Sequence, residues 1–167
     1  MDSGKIIEKD GLLALLPHRE GMLLLSRIVD YNLEDHTIRA EYDITPGCLF
    51  YDPEIGGIPS WISFECMAQS MAAVIGIEER KQRLGLILSV SNMVIRHPVL
   101  KAGSTLSLAV AEDVRMESVY TYTGEASLGE MPVAKAKFTV YAAKDQSVFG
   151  KEDYEMSFHY GQGSGPR

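Results

Sequence analysis

The sequence predicts an α+β fold in which an antiparallel sheet wraps around one long buried central helix. Two observations carry this prediction. Residues 60–77 are apolar on all sides, as in a helix that is buried in a core. The segments before and after this helix alternate in polarity or are rich in strand-forming residues. A sheet that covers a single helix is the simplest way to bury both.

The elements are expected in the order strand, strand, helix and four strands. Thr37–Ile44 alternates apolar and polar residues with the period of two that marks a half-buried strand. Pro59 suits the first position of the helix, because its missing N–H needs no partner there. The other strands are expected at Met22–Val29 before the helix, and at Leu86–Ile95, Leu106–Val114, Val119–Leu128 and Val133–Ala142 after it.

The composition indicates one globular domain over residues 1–143, followed by a polar tail over residues 144–167 that is expected to be mobile. A net charge of −7 argues against a nucleic acid partner, which usually requires a basic face. The apolar segments are too short to span a membrane and the first residues lack the pattern of a signal peptide, so a cytoplasmic protein is expected. Two cysteines, Cys48 and Cys66, are too few for a disulfide framework.

The main candidate for chemistry is Glu65, the one carboxylate in the apolar helix. A buried glutamate is rare unless it is paired, so its position needs an explanation. A positioned carboxyl group suits acid–base catalysis. The alternative is a glutamate at a helix start, favoured there by the helix dipole and touching solvent or an arginine. The sequence leaves both interpretations open.

Three motifs lie in the order and at the spacings of a known enzyme family. They are Leu16-Pro17-His18-Arg19 with the following Met22–Asp30, Glu65-Cys66-Met67-Ala68-Gln69, and Ile95–Val99 with Gly103 and Leu106 downstream. Together they resemble motifs of the β-hydroxyacyl-acyl carrier protein dehydratases, over roughly residues 12–142. The resemblance is to a divergent branch of that family, the dehydratases of aryl-polyene-type pathways.

The resemblance implies a hotdog fold, which pairs through its sheets as a dimer with active sites at the interface. It implies dehydration of 3-hydroxyacyl groups that an acyl carrier protein holds on phosphopantetheine, with no metal or other cofactor. The partner subunit is a second copy, giving a homodimer, or another hotdog protein, giving a heteromer. In the family, the helix glutamate acts on the departing hydroxyl and a loop histidine acts on the α-proton.

One position departs from the family pattern. The family histidine lies fourteen residues before the helix glutamate, where this chain has Tyr51. No histidine lies between His36 and His97. A phenol is mostly protonated at neutral pH, so Tyr51 is a poor base; as a hydrogen-bond donor or an acid it would leave Glu65 as the base. The alternative is an aromatic side chain that merely covers the pocket.

The residues around the start of the helix are candidates for substrate binding. Gly56 and Gly57 let a ligand approach the backbone closely. The N–H groups near Gly57, Ser60 and Trp61 are placed to bind a thioester oxygen if the helix begins at Pro59. The other candidates are Phe64 and Gln69, and Phe50, Trp61 and Phe64 together suggest an apolar tunnel.

Arg96, His97 and Lys101 form a candidate patch for docking the acidic carrier protein, against the alternative of an ordinary solvated turn. His18 is expected to have a structural role at the entry to the first strand. The four histidines are scattered without carboxylates at ligand spacing, so no metal site is expected.

Three functions remain open from the sequence. The first is a carrier-protein-linked dehydratase that uses Glu65 with a partner group other than the family histidine. The second is a hotdog thioesterase, in which the helix carboxylate activates water or attacks the thioester. The third is a non-catalytic hotdog subunit that pairs with a competent dehydratase. The motifs favour the first function, and the substitution by Tyr51 favours the third.

Overall fold

The apolar segment forms a helix, α2, over Ile62–Glu79, and most of the remaining chain forms strands that pack against it. The computed structural model describes residues 6–143, so the predicted tail lies outside the described residues. Before α2 lie β1 (Ile7–Glu8), α1 (Lys9–Leu15), a 3₁₀ turn (Glu20–Met22), β2 (Arg27–Asn32), β3 (Thr37–Asp43) and β4 (Gly57–Pro59). After it lie β5 (Gly85–Ile95), β6 (Val99–Lys101), β7 (Thr105–Met116), β8 (Val119–Leu128) and β9 (Met131–Ala142).

Seven of these strands form one antiparallel sheet in the order β1-β2-β3-β7-β8-β9-β5. The short strand β4, which precedes α2 in the chain, and the short strand β6, which follows β5, form a separate antiparallel pair. The predicted order of two strands, a helix and four long strands is confirmed, and the three short strands were missed. Neither described helix is long and apolar enough to cross a membrane.

Alternation along the strands places one face of the sheet on α2. The inward side chains of β3 are Ile38, Ala40 and Tyr42, and those of β7 are Leu106, Leu108 and Val110; all six are buried. The residues between them along each strand are polar or small and face away from the helix. Burial of the apolar face is therefore what fixes the register of the sheet on α2.

The segment Met22–Ser26 was predicted as part of a strand and is not one, because β2 begins only at Arg27. Its three leucines, Leu23 to Leu25, are nevertheless buried. The N–H of Leu24 and the carbonyl of Met22 are hydrogen-bonded by the side-chain amide of Gln69 on α2. A helix side chain thus takes the place of a neighbouring strand.

Strand β5 lies at the edge of the sheet, and all eleven of its residues are exposed in a single chain. Its sequence, Gly-Leu-Ile-Leu-Ser-Val-Ser-Asn-Met-Val-Ile, contains no charged residue. Proteins normally protect an edge strand with charges, prolines or a covering element. A long, apolar and uncharged edge of this kind is typical of a strand that pairs with another subunit.

The C-terminal end of α2 is attached to the sheet by Arg115. Its guanidinium donates to Glu78 of α2 at 2.9 and 2.8 Å, and to Glu112 of β7 at 2.9 Å. It also lies 4.9 Å from the ring centroid of Tyr120. The Glu112 side chain is only 7% exposed, so removal of Arg115 would leave a buried carboxylate with the Tyr122 hydroxyl as a weaker donor.

We expect Arg115→Met to lower the free energy of unfolding by about 1–3 kcal/mol, the usual cost of leaving a buried polar group without its partner. The control is Lys135→Met, which removes an ion pair between two mostly exposed side chains, Lys135 and Glu125. The control should change stability by less than about 1 kcal/mol. Urea denaturation measures the free energy of unfolding of both variants. Equal unfolding midpoints for the two variants would contradict the expectation.

The stabilisation by Arg115 should also depend on pH. The hydrogen bonds from Arg115 lower the pKa of Glu78 below its ordinary value. A carboxyl group whose pKa is lowered by folding stabilises the protein above its unfolded pKa, and the contribution is lost as the pH falls through the folded pKa. The stability difference between wild type and Arg115→Met should therefore shrink in acid.

Candidate active site

Glu65 lies in the first turn of α2, where two neighbours face its carboxylate. Oε1 accepts a hydrogen bond of 3.0 Å from Nε2 of Gln69, one turn further along the helix. Nε2 of His18 lies 3.4 Å from the same oxygen. In a single chain the Glu65 side chain is 34% exposed to solvent. The carboxylate is therefore held on one oxygen and still reachable from outside.

The side chain of Gln69 supports Glu65. The residue is fully buried, and its Oε1 accepts a 3.0 Å hydrogen bond from the N–H of Leu24. Its Nε2 donates to the carbonyl of Met22 at 2.7 Å as well as to Glu65. These three bonds fix which way the amide points. Its polar atoms are thus used within the protein, and a role for Gln69 in binding substrate stays a prediction.

His18 reaches Glu65 from the loop after α1. Its Nδ1 is buried and has no hydrogen-bond partner among residues 6–143. Burial lowers the pKa of His18, the nearby Glu65 raises it, and the adjacent Arg19 lowers it, with burial the largest of the three effects. The prediction gave His18 a structural role and did not place it beside Glu65.

The start of α2 differs from the prediction in a way that matters for substrate binding. Pro59 lies in β4, and the helix begins only at Ile62. The N–H of Gly57 donates to Asp52 O at 3.3 Å, and the N–H of Ser60 donates to Pro98 O at 3.0 Å. Both N–H groups therefore already have acceptors within the protein, and their use for a thioester oxygen stays a prediction. Of the three residues predicted to offer an N–H group, Gly57 and Ser60 are buried and Trp61 is exposed.

Two of the predicted substrate residues are instead required by packing. A Cβ on Gly57 would lie 2.1 Å from Leu100 O, so the close pairing of β4 with β6 demands glycine there. Ser60 is 1% exposed, and its hydroxyl donates to the carbonyl of His97. Gly56 has a φ of 62°, which explains glycine at that turn position.

The aromatic residues lie around the helix start in two separate contacts. Phe50 and Trp61 form an edge-to-face pair with centroids 5.7 Å apart, and Trp61 is 53% exposed. Phe64 packs against Phe138 of β9, with the two ring centroids 6.4 Å apart. A cavity of about 510 Å³ is lined mostly by residues of the sheet such as Arg39, with Arg96 and none from α2, so it is not the predicted tunnel.

Tyr51 is half-buried in the loop between β3 and β4. Its N–H donates to the carbonyl of Cys48 at 3.0 Å, and its side chain packs against the core. The neighbouring Asp52 accepts the N–H of Glu54 at 2.8 Å, as turn aspartates do. Within one described chain, the residues in polar contact with the Glu65 side chain are His18 and Gln69. A role for Tyr51 stays a prediction.

The carrier patch lies next to the helix start. The carbonyl of His97 accepts from the Ser60 hydroxyl, which links the patch to a residue two positions before α2. Nζ of Lys101 donates to Ile55 O at 2.6 Å and lies 3.9 Å from the Cβ position of Gly56. Arg96 and Lys101 are both exposed. The structure thus brings the patch and the loop at Gly56 together.

The described residues contain no group of three histidine, cysteine, aspartate or glutamate side chains that could hold a metal ion. Two histidines each face one glutamate instead. His18 lies 3.4 Å from Glu65, and His36 lies 3.6 Å from Glu78 at the other end of α2. The two pairs have similar exposure, which makes the second pair a natural control for the first.

Comparison with known families now identifies the chain. A family model described as ApeP-like, ApeP dehydratase, matches residues 12–151. The chain belongs to the ApeP-like family. This confirms the resemblance drawn from the three motifs, and the chain is accordingly a member of a divergent branch of hotdog dehydratases.

Individual relatives agree with this assignment. The chain is 26% identical over 154 residues to the 3-hydroxyacyl-[acyl-carrier-protein] dehydratase FabZ of Chlamydia caviae, covering 89% of this chain and 99% of the relative. A chain of the dehydratase heterocomplex ApeI:P from Xenorhabdus doucetiae superposes with a TM-score of 0.71 at 20% identity, over 89% of this chain and 97% of that chain.

The hotdog fold is shared more widely than the dehydratase activity. A hypothetical thioesterase of Streptococcus pneumoniae, solved with coenzyme A, has a TM-score of 0.51 at 14% identity, over 65% of this chain and 80% of that chain. Structural likeness at such identities shows the fold alone. The predicted hotdog fold is confirmed, and the activity has to be argued from the family and the site.

Proposed function

We propose that the chain is a dehydratase subunit that converts 3-hydroxyacyl thioesters on an acyl carrier protein into trans-2-enoyl thioesters, in fatty acid or polyene-type biosynthesis. The observation that carries the proposal is the Glu65 carboxylate, which Gln69 holds on one oxygen and which is 34% exposed in a single chain. The match to the ApeP-like family gives the reaction class. Phosphopantetheine on the carrier protein presents the substrate, and the reaction requires no further cofactor.

The reaction requires two proton transfers at one site. The Cα–H bond breaks, the Cα=Cβ bond forms, and the hydroxyl on Cβ leaves as water after it gains a proton. Glu65 performs one of these transfers and a second group performs the other. Tyr51 stands at the family's histidine position, and a group from the partner subunit is the alternative. The N–H of Trp61, the exposed residue just before α2, is a candidate for binding the thioester oxygen.

The partner subunit binds along β5. Inward-facing residues of β5, such as Ile87 and Val90, pair with the buried Val140 and Phe138 of β9 and are uncovered in a single chain. A second hotdog subunit that continues the sheet would cover them. The absence of a histidine at Tyr51 favours a second subunit that supplies one, as a heteromer. A homodimer in which Tyr51 serves as the acid is the other possibility.

The proposal is tested by turnover of a 3-hydroxyacyl-carrier protein by the chain alone and together with a second hotdog protein that carries the family histidine. Enoyl thioester as the product supports the proposal. Free acid as the product would show a thioesterase instead. No turnover in either setting, on any hydroxyacyl or acyl thioester, would leave a non-catalytic subunit and overturn the proposal.

The carrier patch gives a separate prediction. Charge reversal at Arg96 and Lys101 should lower kcat/KM on carrier-linked substrate by about 10-fold or more, because opposite charges accelerate encounter by about 10–10³-fold. The loss should shrink at high salt, which screens surface charges. A substrate carried on a small thioester should be affected much less.

The matched control for the patch is charge reversal at Arg80 and Lys81, two exposed residues at the other end of α2. The change in charge is the same, so an effect of net charge alone would appear in both double variants. Equal losses in the two variants, or an equal loss with the small thioester, would contradict docking at Arg96 and Lys101.

A further inference from the structure

The face of the sheet that points away from α2 carries a row of charged residues across five neighbouring strands. The register of β2, β3, β7, β8 and β9 places five residues side by side, in the order Asp30, Arg39, Ala109, Glu125 and Lys135. All five are exposed in a single chain. The charges along the row are therefore negative, positive, neutral, negative and positive, with an alanine of β7 at the centre.

The centre of this row lies in a trough that runs along β7. The floor of the trough consists of small outward side chains, those of Ser107, Ala109 and Ala111. Two cavities, of about 510 and 410 Å³, lie over it, and Arg39, Ala109 and Glu125 line both of them. The two walls of the trough thus carry opposite charges, the Arg39 guanidinium on β3 and the Glu125 carboxylate on β8.

The charges of the row are only partly paired within one chain. Nζ of Lys135 lies 2.5 Å from Oε1 of Glu125, and both side chains are more than half exposed. Among residues 6–143, Asp30 and Arg39 form no ion pair, although they are direct neighbours across β2 and β3. An exposed ion pair contributes little to stability. All four charged side chains can therefore turn toward a partner at little cost.

We infer that this face binds the same face of a second copy of the chain, about a two-fold axis that runs parallel to β7 over Ala109. This rotation brings β3 of one copy opposite β8 of the other, and β2 opposite β9. Arg39 then faces the second copy's Glu125, and Asp30 faces the second copy's Lys135. Every charge in the row meets its opposite, and the small Ala109 side chains meet at the axis. This contact is separate from the proposed dehydratase function and does not depend on it.

The charge pattern selects this axis over the other two-fold axis that could pair the face with itself. An axis along the row, across the strands, would place each charged residue opposite the same residue of the second copy. Such contacts between like charges are destabilising. The rows on either side are compatible with the axis along β7, because they place Glu41 opposite Ser127 and Thr37 opposite Thr123.

The trough allows the two sheets to approach closely. Sheets that pack face to face lie about 10 Å apart, and an arginine that met a glutamate end to end would hold them further apart. The cavities over Ala109 provide the volume into which the side chain of Arg39 from each copy can fold while it reaches the opposite glutamate.

The balance of charge also separates a second copy from other occupants. Two acidic and two basic side chains cancel along the row, so the face offers no field of one sign to an acidic carrier protein or a nucleic acid. Only a partner with the same alternation, in the opposite order, matches each charge. The face itself provides that alternation when it is turned about β7.

Sedimentation velocity of the full-length chain over a concentration series tests this contact. Because exposed ion pairs contribute little individually, the contact is weaker than the apolar β5 edge. Wild type should therefore show a second association step at concentrations above those that assemble it through β5. High salt should weaken this step, because it screens exposed charges.

Two single variants and their mixture give the decisive result. Arg39→Glu should lower the association constant of the second step by about 10-fold or more, because an attraction becomes a repulsion at two symmetric positions. Glu125→Arg should do the same. An equal mixture of the two variants should recover most of the association, because the acidic walls of one variant then face the basic walls of the other. The double variant Arg39→Glu/Glu125→Arg should also recover it.

Arg80→Glu is the matched control, since it reverses an exposed arginine just after α2 and should leave the second step unchanged. An equal loss in this control would show an effect of net charge and overturn the inference. So would a wild type without the second step, or a mixture of the two variants that fails to associate. If the changes at Arg39 and Glu125 weaken binding of a carrier protein or of a different hotdog subunit instead, the face belongs to that partner and the inference also fails.

Discussion

Turnover of a 3-hydroxyacyl-carrier protein should fall by about 10²–10⁴-fold when Glu65 is replaced by glutamine, the usual contribution of general acid–base catalysis. The amide has the shape of the carboxyl group, and its oxygen still accepts the hydrogen bond from Gln69. It cannot take up or release a proton at neutral pH. Folding should survive, because the site is partly exposed and stays hydrogen-bonded. Single-turnover kinetics on the active assembly measure the chemical step.

Glu78→Gln is the control, since it makes the same chemical change in the last turn of α2. It should weaken the bond to Arg115 and leave turnover near wild type. Tyr51→Phe should cost little if the phenol only positions substrate, and as much as Glu65→Gln if the phenol is the second proton carrier. An active wild type with an unaffected Glu65→Gln variant would exclude the catalytic role.

Much of the fold was predictable because burial leaves a clear periodicity in the sequence. The alternation over Thr37–Ile44 corresponds to β3, and β8 spans Val119–Leu128 as predicted. Both strands have one face on α2 and one face away from it. The first part of the strand predicted over Met22–Val29 is not a strand, because the backbone of Met22 and Leu24 is hydrogen-bonded by the side chain of Gln69 rather than by a neighbouring strand. Apolar content alone does not distinguish these cases.

The start of α2 was misplaced for a related reason. Proline is equally acceptable at the first helical position and at the end of a short edge strand, and here Pro59 pairs with Val99 in the β4–β6 ladder. Gly57, two residues before Pro59, was interpreted as leaving room for a ligand to approach the backbone. The structure fills that room with the backbone of Leu100. A glycine does not tell from sequence whether a ligand or a neighbouring strand approaches it.

The candidate site was predictable only in its local part. Glu65 and Gln69 are four residues apart on a helix, a spacing that brings side chains together. His18 lies in a different segment and meets Glu65 only through the packing of the loop after α1. The sequence signal for that contact was the co-occurrence of the Pro-His-Arg and Glu-Gln motifs, which shows a shared family but not a shared site. In the proposed assembly a partner subunit completes the site, and its residues lie beyond one chain.

Assembly through β5 should be strongly weakened by Val90→Lys. Val90 pairs with Phe138 and points to the helix side of the sheet, where it is 40% exposed in a single chain. In the proposed assembly the partner covers this position, so an ammonium group there would be buried without a partner. Removal of a central apolar contact of this kind costs about 2 kcal/mol or more, which is about 30-fold in the dissociation constant.

Light scattering should therefore show a single chain for Val90→Lys at concentrations where wild type is assembled, and turnover should fall with assembly because the proposed site needs both subunits. Val114→Lys is the matched control: the residue is 50% exposed and lies on β7, away from the β5 edge. It should keep the wild-type mass and activity. A wild type that is a stable monomer at micromolar concentration, alone and with a hotdog partner, would contradict the proposed interface. So would a Val90→Lys variant that still assembles, because an eleven-residue edge paired with another subunit cannot accommodate an inward charge at its centre without loss of affinity.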